Sequence, residues 1–245
     1  MSYHEDLQEK IEKFIAMGPV ISLENVKDHG LLKILSKYYL VEILEMLGFK
    51  TILNLPKQMN RKVGVLIHHY AFYANIILNF IYLLCGKTER NNLDVKRLGV
   101  LVSHEPGGTS IQSVKHWVQT YRNGKFRKYD YGATKNKLIY GSEIPPDYSF
   151  DHIRDFPFKT HIFRGEKDAV ISDKDFEFLT GHFDRNNLET HTIKDYAHLD
   201  YAWSISAKED IYDKIVDILK NEKPVTQKEN SENFETEDTS FESRG

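Results

Sequence analysis

The order of elements towards the C-terminus narrows the fold more than any other feature of the sequence. Pro157 precedes Thr160-His161-Ile162-Phe163-Arg164-Gly165, a strand candidate. Residues 172–178 read as a helix, Thr190-His191-Thr192-Ile193 as a second strand, and another helix starts at Ser206. That last helix carries the clearest local signals: Ser206 and Glu209 match the capping-box pattern, and Ile211, Ile215, Ile218 and Leu219 fall on one face. Strand alternating with helix predicts a parallel sheet. A further apolar run, Phe14-Ile15-Ala16-Met17, follows a polar-faced helical segment at 5–12 and stops at Gly18-Pro19, as a buried strand ending in a turn does. Between these strands lies a long helical region. Apolar residues recur at helical spacing at Leu31, Leu32, Leu35, Tyr39, Ile43, Leu44 and Leu47, and again over 63–84. The expected organisation is a core built from 1–21 and 151–221, interrupted by a helical insertion at 22–150 and followed by a disordered charged tail at 222–245.

Composition removes several classes of protein. Hydrophobic residues make up 40% and aromatics 12% of the 245 residues, enough for a sizeable core, so a wholly disordered chain is excluded. The net charge is −3, and the tail's seven acids and three bases leave the rest of the chain near neutral. The folded part is therefore not built for polyanions. A single cysteine, Cys85, rules out an internal disulfide and any multi-cysteine metal site. The start, MSYHEDLQEKIEKF, is charged where an export signal needs an apolar core, and there is no Asn-x-Ser/Thr. The most apolar stretch, 70–85, contains Asn75 and Asn79 and falls short of a membrane span, so a buried or interfacial helix is expected there.

Two polar residues follow the C-terminal strands, where open α/β sheets place their chemistry. Asp168 follows strand 160–165 through Gly165-Glu166-Lys167, and His198 follows strand 190–193 through Asp195-Tyr196-Ala197. An aspartate and then a histidine on successive strand ends is the chain order in which α/β-hydrolases hold the carboxylate and base of a Ser-His-Asp triad. On spacing alone the same pair also suits a turn-forming aspartate and a packed core histidine.

A resemblance covers most of the chain. The segments His104-Glu105-Pro106-Gly107-Gly108-Thr109-Ser110, Trp117-Val118-Gln119, Gly124-Lys125-Phe126, Tyr129-Asp130-Tyr131-Gly132, Pro145-Pro146, Gly165-Glu166-Lys167-Asp168 and His198-Leu199-Asp200-Tyr201-Ala202-Trp203 occur in this order. Together they resemble the C-terminal portion of the acid lipase family of α/β-hydrolases, which includes the gastric and lysosomal lipases. The resemblance implies a partial α/β-hydrolase fold, a parallel sheet with a large helical cap insertion. It implies hydrolysis of carboxylic esters of neutral lipids, triacylglycerol or sterol ester, with the triad acid at Asp168 and the triad histidine at His198. It implies no metal or organic cofactor, because the triad works by nucleophilic and general-base catalysis alone. The family is mostly secreted or lysosomal. Its nucleophile lies in a Gly-x-Ser-x-Gly elbow, and no such segment occurs in these residues. The chain as given is therefore expected to be inactive alone, as a truncated product or as a lipid-binding pseudoenzyme. Ser110 reads as a turn and helix cap, not as a substitute nucleophile.

One stretch points elsewhere. Lys115, Arg122, Lys125, Arg127, Lys128, Lys135 and Lys137 face one acid, Asp130, among Trp117, Tyr121, Phe126, Tyr129 and Tyr131. Bases alternating with aromatics suit single-stranded nucleic acid. Lacking a wider basic field, the stretch is read as a solvated cap surface in transient contact with lipid, and no nucleic-acid partner is expected.

Overall fold

A computed structural model describes residues 5–26, 30–88 and 92–221, so the tail expected at 222–245 lies outside the described residues. In chain order the elements are helix α1 (Glu5–Gln8), strand β1 (Lys13–Met17), helices α2 (Gly30–Lys37) and α3 (Leu40–Met46), strand β2 (Thr51–Ile52), helices α4 (Lys57–His69) and α5 (Ala71–Cys85), and a 3-10 turn (Val95–Arg97) leading into α6 (Leu98–His104). Strand β3 (Thr109–Ser110), helices α7 (Ile111–Asn123) and α8 (Ala133–Tyr140), strand β4 (Lys159–Gly165), helix α9 (Asp173–Thr180), strand β5 (Leu188–Ile193), helix α10 (Asp200–Trp203), a π-helical turn (Lys208–Tyr212) and helix α11 (Asp213–Asn221) complete them.

The three longer strands form a parallel sheet in the order β1-β4-β5. Successive strand residues face opposite sides, and β4 shows what that achieves. Ile162 packs with Phe156, Phe158, Phe176, Leu179 and Phe183 under α9, whereas Phe163 packs with Ile193, Tyr196, Tyr201 and Ile211 under the C-terminal helix. Both faces are thus covered, as parallel strands require. Full burial of an Ile or Phe side chain contributes about 1.5–3 kcal/mol, so these two adjacent residues anchor the two layers to the sheet.

The insertion has its own cluster of Ile67, Ala74, Leu78, Leu93, Leu98 and Val102, against which Trp203 of α10 packs. Helices α4 and α6 meet at Gly64 and Gly99. A Cβ on Gly64 would come within 2.4 Å of the Gly99 carbonyl oxygen, so only glycine permits this approach.

Four local expectations are revised. The helical stretch 31–47 breaks at Tyr39, whose φ of 52° lies in the left-handed region. The stretch 63–84 breaks at the extended residue Tyr70, so that α4 and α5 are bent by 114°, and among the described residues no single helix is long and apolar enough to cross a membrane. Leu219, expected on the buried face of the last helix, is 57% exposed. The capping box at Ser206 does not form. The Ser206 hydroxyl donates to Asn92 Oδ1 at 2.7 Å, and the helix begins with a π turn whose preceding residue, Ala207, offers no side-chain cap. A partner more than a hundred residues away satisfies this hydroxyl, which leaves the local pattern unused.

Candidate active site

The turn after β4 is pinned by the backbone at both ends. Glu166 N–H donates to the Ile193 carbonyl at 3.0 Å and Lys167 N–H to the Tyr196 carbonyl at 2.8 Å. A Cβ at Gly165 would lie 2.3 Å from the Tyr196 carbonyl oxygen, so a glycine is needed where the two strand ends converge. This turn delivers Asp168, and the loop after β5 delivers His198.

The Asp168 side chain is fully shielded from solvent and has three donors. Val170 N–H reaches Oδ1 at 2.8 Å, and His198 Nδ1 and the Tyr201 hydroxyl reach Oδ2 at 2.9 and 3.3 Å. The His198 side chain keeps 29% of its surface exposed. With Nδ1–H donated to the carboxylate, Nε2 is the imidazole nitrogen that takes up a proton.

Helix α5 holds both loops from the cap side. The last carbonyls of a helix lack intrahelical donors, and the Cys85 carbonyl accepts from His198 N–H at 3.0 Å and from Ala169 N–H at 3.3 Å. Gly86 follows with φ +98°, and a Cβ there would come 2.1 Å from the Lys167 carbonyl oxygen. Burial, reinforced by the charges of Asp168 and Asp200, pushes the Cys85 thiol up to about 11. It therefore stays a thiol at neutral pH and is a poor nucleophile. Burial also raises the Tyr201 hydroxyl, with Asp168 adding to the effect, so this group remains a donor. Asp200, itself buried and raised chiefly by burial, accepts from Ala197 N–H at 2.7 Å and closes the turn that carries His198.

Sequence reasoning picked out Asp168 and His198, and the structure brings them into hydrogen-bond contact. It passed over Tyr201, Asp200, Cys85 and Gly86. The first two lie within the segment 198–203, where a tyrosine and an acid beside the histidine were a usable signal. Cys85 acts through its carbonyl, which no side-chain pattern reveals. Tyr201 also accepts from Gly165 N–H at 2.6 Å. Tyr201→Phe leaves that buried N–H unsatisfied and removes a donor from Asp168, so an expected loss of about 1–3 kcal/mol is to be read by urea unfolding of a full-length protein containing this chain. An unchanged midpoint would show that these bonds contribute nothing to stability.

Ser110 is no part of this cluster. It precedes α7 as its cap, with its Oγ accepting from Ser113 N–H at 3.0 Å. In the basic stretch, Lys115 pairs with Glu45 at 2.6 Å, Arg122 with Glu42 at 2.5 Å and Arg127 with Asp147 at 2.5 Å. Lys135 lies over the Tyr131 ring at 4.7 Å. Acids from α3 and from the loop after α8 offset much of this charge, which weakens the case for a polyanion surface.

The comparisons with known proteins point the same way as this geometry. Lipase lipl-1 of Caenorhabditis elegans is 31% identical over 218 residues, covering 87% of this chain and 52% of the relative. Lysosomal acid lipase/cholesteryl ester hydrolase of Homo sapiens is 29% identical over 228 residues, covering 88% of the chain and 52% of the relative. This is a partial acid-lipase-like sequence. Gastric triacylglycerol lipase of Bos taurus is 28% identical over 220 residues, 89% of the acid-lipase-like chain and 53% of the relative. The chain spans about half the length of the curated relatives it matches. No family model matches it. The parallel sheet with its helical layers is the partial α/β-hydrolase fold of an acid-lipase-like chain.

Proposed function

We propose that this chain supplies the acid and the base of a Ser-His-Asp triad in a carboxylic ester hydrolase acting on neutral lipid esters, triacylglycerol or sterol ester. The observation that carries the reading is the 2.9 Å contact between His198 Nδ1 and the shielded Asp168 carboxylate at two adjacent strand ends. Asp168 holds the imidazole in the tautomer that leaves Nε2 as the base. The nucleophilic serine gives its proton to Nε2 as its oxygen attacks the ester carbonyl, and the imidazolium returns that proton to the departing alkoxide. Water then cleaves the acyl-enzyme by the same proton path in reverse. The chemistry calls for no metal or organic cofactor. Residues 22–150 act as the cap over the acyl chain. The relatives named cholesteryl ester hydrolase and triacylglycerol lipase support the substrate class.

A second reading is lipid binding without hydrolysis. It is favoured by the apolar side chains that α5 leaves exposed, Phe72, Ile76, Phe80 and Leu83. A fluorophosphonate probe, which reacts with activated serines, separates the two. The 245-residue chain is expected to stay unlabelled, and a full-length protein containing it is expected to label at an elbow serine. Stoichiometric labelling at Ser110 or another serine of this chain would overturn the triad assignment. A full-length protein that resists the probe would favour lipid binding alone.

A further inference from the structure

The face of the sheet under the C-terminal helix carries a second cluster of donors, away from Asp168 and His198. In the β4–β5 register His161 stands opposite Glu189 and Phe163 opposite His191, and alternation puts the first, second and fourth of these on one face. His161 Nδ1 lies 3.2 Å from His191 Nε2. Glu189 Oε2 is 3.8 Å from His161 Nδ1, and its Oε1 is 3.7 Å from His191 Nε2. The three ligand atoms all fall within 4.8 Å of one another.

We infer that His161, Glu189 and His191 form a binding site for a divalent transition cation of the zinc class, which cross-links β4 to β5. Two imidazole nitrogens and one carboxylate oxygen make a borderline donor set that suits zinc and not calcium or magnesium, which take oxygen ligands. Zinc bonds of ~2.0–2.2 Å set ligand atoms roughly 3.3–3.6 Å apart in a tetrahedron, so the observed spacings need only small ring and carboxylate rotations. Two of the three ligands are held in place. His161 is fully buried on a central strand, and the His191 ring stacks on Phe163 with centroids 4.4 Å apart. The Glu189 side chain is 57% exposed, which provides the route of entry and leaves the fourth position to water. One ring nitrogen of the 3.2 Å contact carries the shared hydrogen, and metal loading requires that ring to move it to its other nitrogen, so that both facing nitrogens are free to bind the cation. His161 lies four residues before the end of β4, roughly 13 Å along the strand, so the cation has no part in the triad chemistry.

The test is a titration of Co²⁺, and then Zn²⁺, into the 245-residue chain kept dispersed in mild non-ionic detergent. Expected results are one saturable Co²⁺ with visible d–d absorption, its displacement by Zn²⁺, and a higher unfolding temperature that EDTA reverses. Glu189→Gln and His191→Gln change partly exposed side chains, so both variants are expected to fold, with circular dichroism matching the parent. Each should weaken Co²⁺ binding at least tenfold, whereas His68→Gln and His69→Gln, in α4, should leave it unchanged. Absence of saturable binding, or equal affinity in Glu189→Gln and His191→Gln, would overturn the site.

Discussion

Replacing Asp168 with Asn, or His198 with Ala, is expected to lower ester hydrolysis by about 10⁴-fold in a full-length protein containing this chain, the loss seen when triads elsewhere are broken. The two changes fail for different reasons. His198→Ala removes the base outright. Asp168→Asn keeps the shape but puts an amide where Val170 N–H, the Tyr201 hydroxyl and His198 Nδ1–H all donate. An amide has one acceptor oxygen, and with its nitrogen towards the imidazole both His198 Nδ1–H and the Tyr201 hydroxyl lose their acceptor, which drives the ring to the wrong tautomer. The carboxylate has no water to turn to, because its side chain is completely shielded. The controls are acids nearby in sequence. Asp175 is buried and accepts from the Ser172 hydroxyl at 2.6 Å and from Asn25 Nδ2 at 3.1 Å, while Asp173 pairs with Arg164. Asp175→Asn and Asp173→Asn should cost stability and leave kcat within a few fold. If both triad variants also lose only a few fold in initial-rate assays, Asp168 and His198 are not the acid and base.

The second large effect concerns the state of the isolated chain. In dilute buffer without lipid or detergent it is expected to elute as oligomers or aggregates and to lack a monomeric, cooperative thermal transition. Helix α5 presents Phe72, Ile76, Phe80 and Leu83 at 70, 49, 51 and 56% exposure. Their spacing makes a stripe roughly 16 Å long on one side of a helix that rises 1.5 Å per residue. Helix α3 adds Ile43 and Met46, with Leu47 just beyond it, and in the sheet β1 has a single neighbour among the described strands. Each half-exposed side chain that becomes covered contributes about 1 kcal/mol, and an edge strand is itself a template for pairing. Self-association is the cheapest way to cover both. The double change Ile76→Glu and Phe80→Glu should shift elution towards the monomer, because two charges then sit in the middle of the stripe. A monodisperse, lipid-free monomer of the unmodified chain, melting cooperatively, would refute the expectation and favour a self-sufficient binding protein.

Where a signal depends only on residues a few positions apart, the sequence was a good guide to this protein. The strand candidates at 14–17, 160–165 and 190–193 became strands, Ser172 caps α9 through Asp175 N–H at 3.1 Å, and Ser110 caps α7. Asp168 and His198 were legible for a related reason, because strand ends in a parallel sheet come together whatever lies between them in sequence. Tertiary packing decided the rest. The breaks at Tyr39 and Tyr70, where the backbone leaves the helical region, divide stretches whose periodicity reads as continuous. Ser206 abandoned its capping pattern for Asn92, and Arg122 and Arg127 found Glu42 and Asp147. His161, Glu189 and His191 converge only because β4 and β5 pair in one register, and a shift of one residue would send their side chains to opposite faces. Local patterns rest on the fixed geometry of neighbouring residues in the chain. Partners brought from twenty to more than a hundred positions away are chosen by packing and register, which a one-dimensional spacing does not encode.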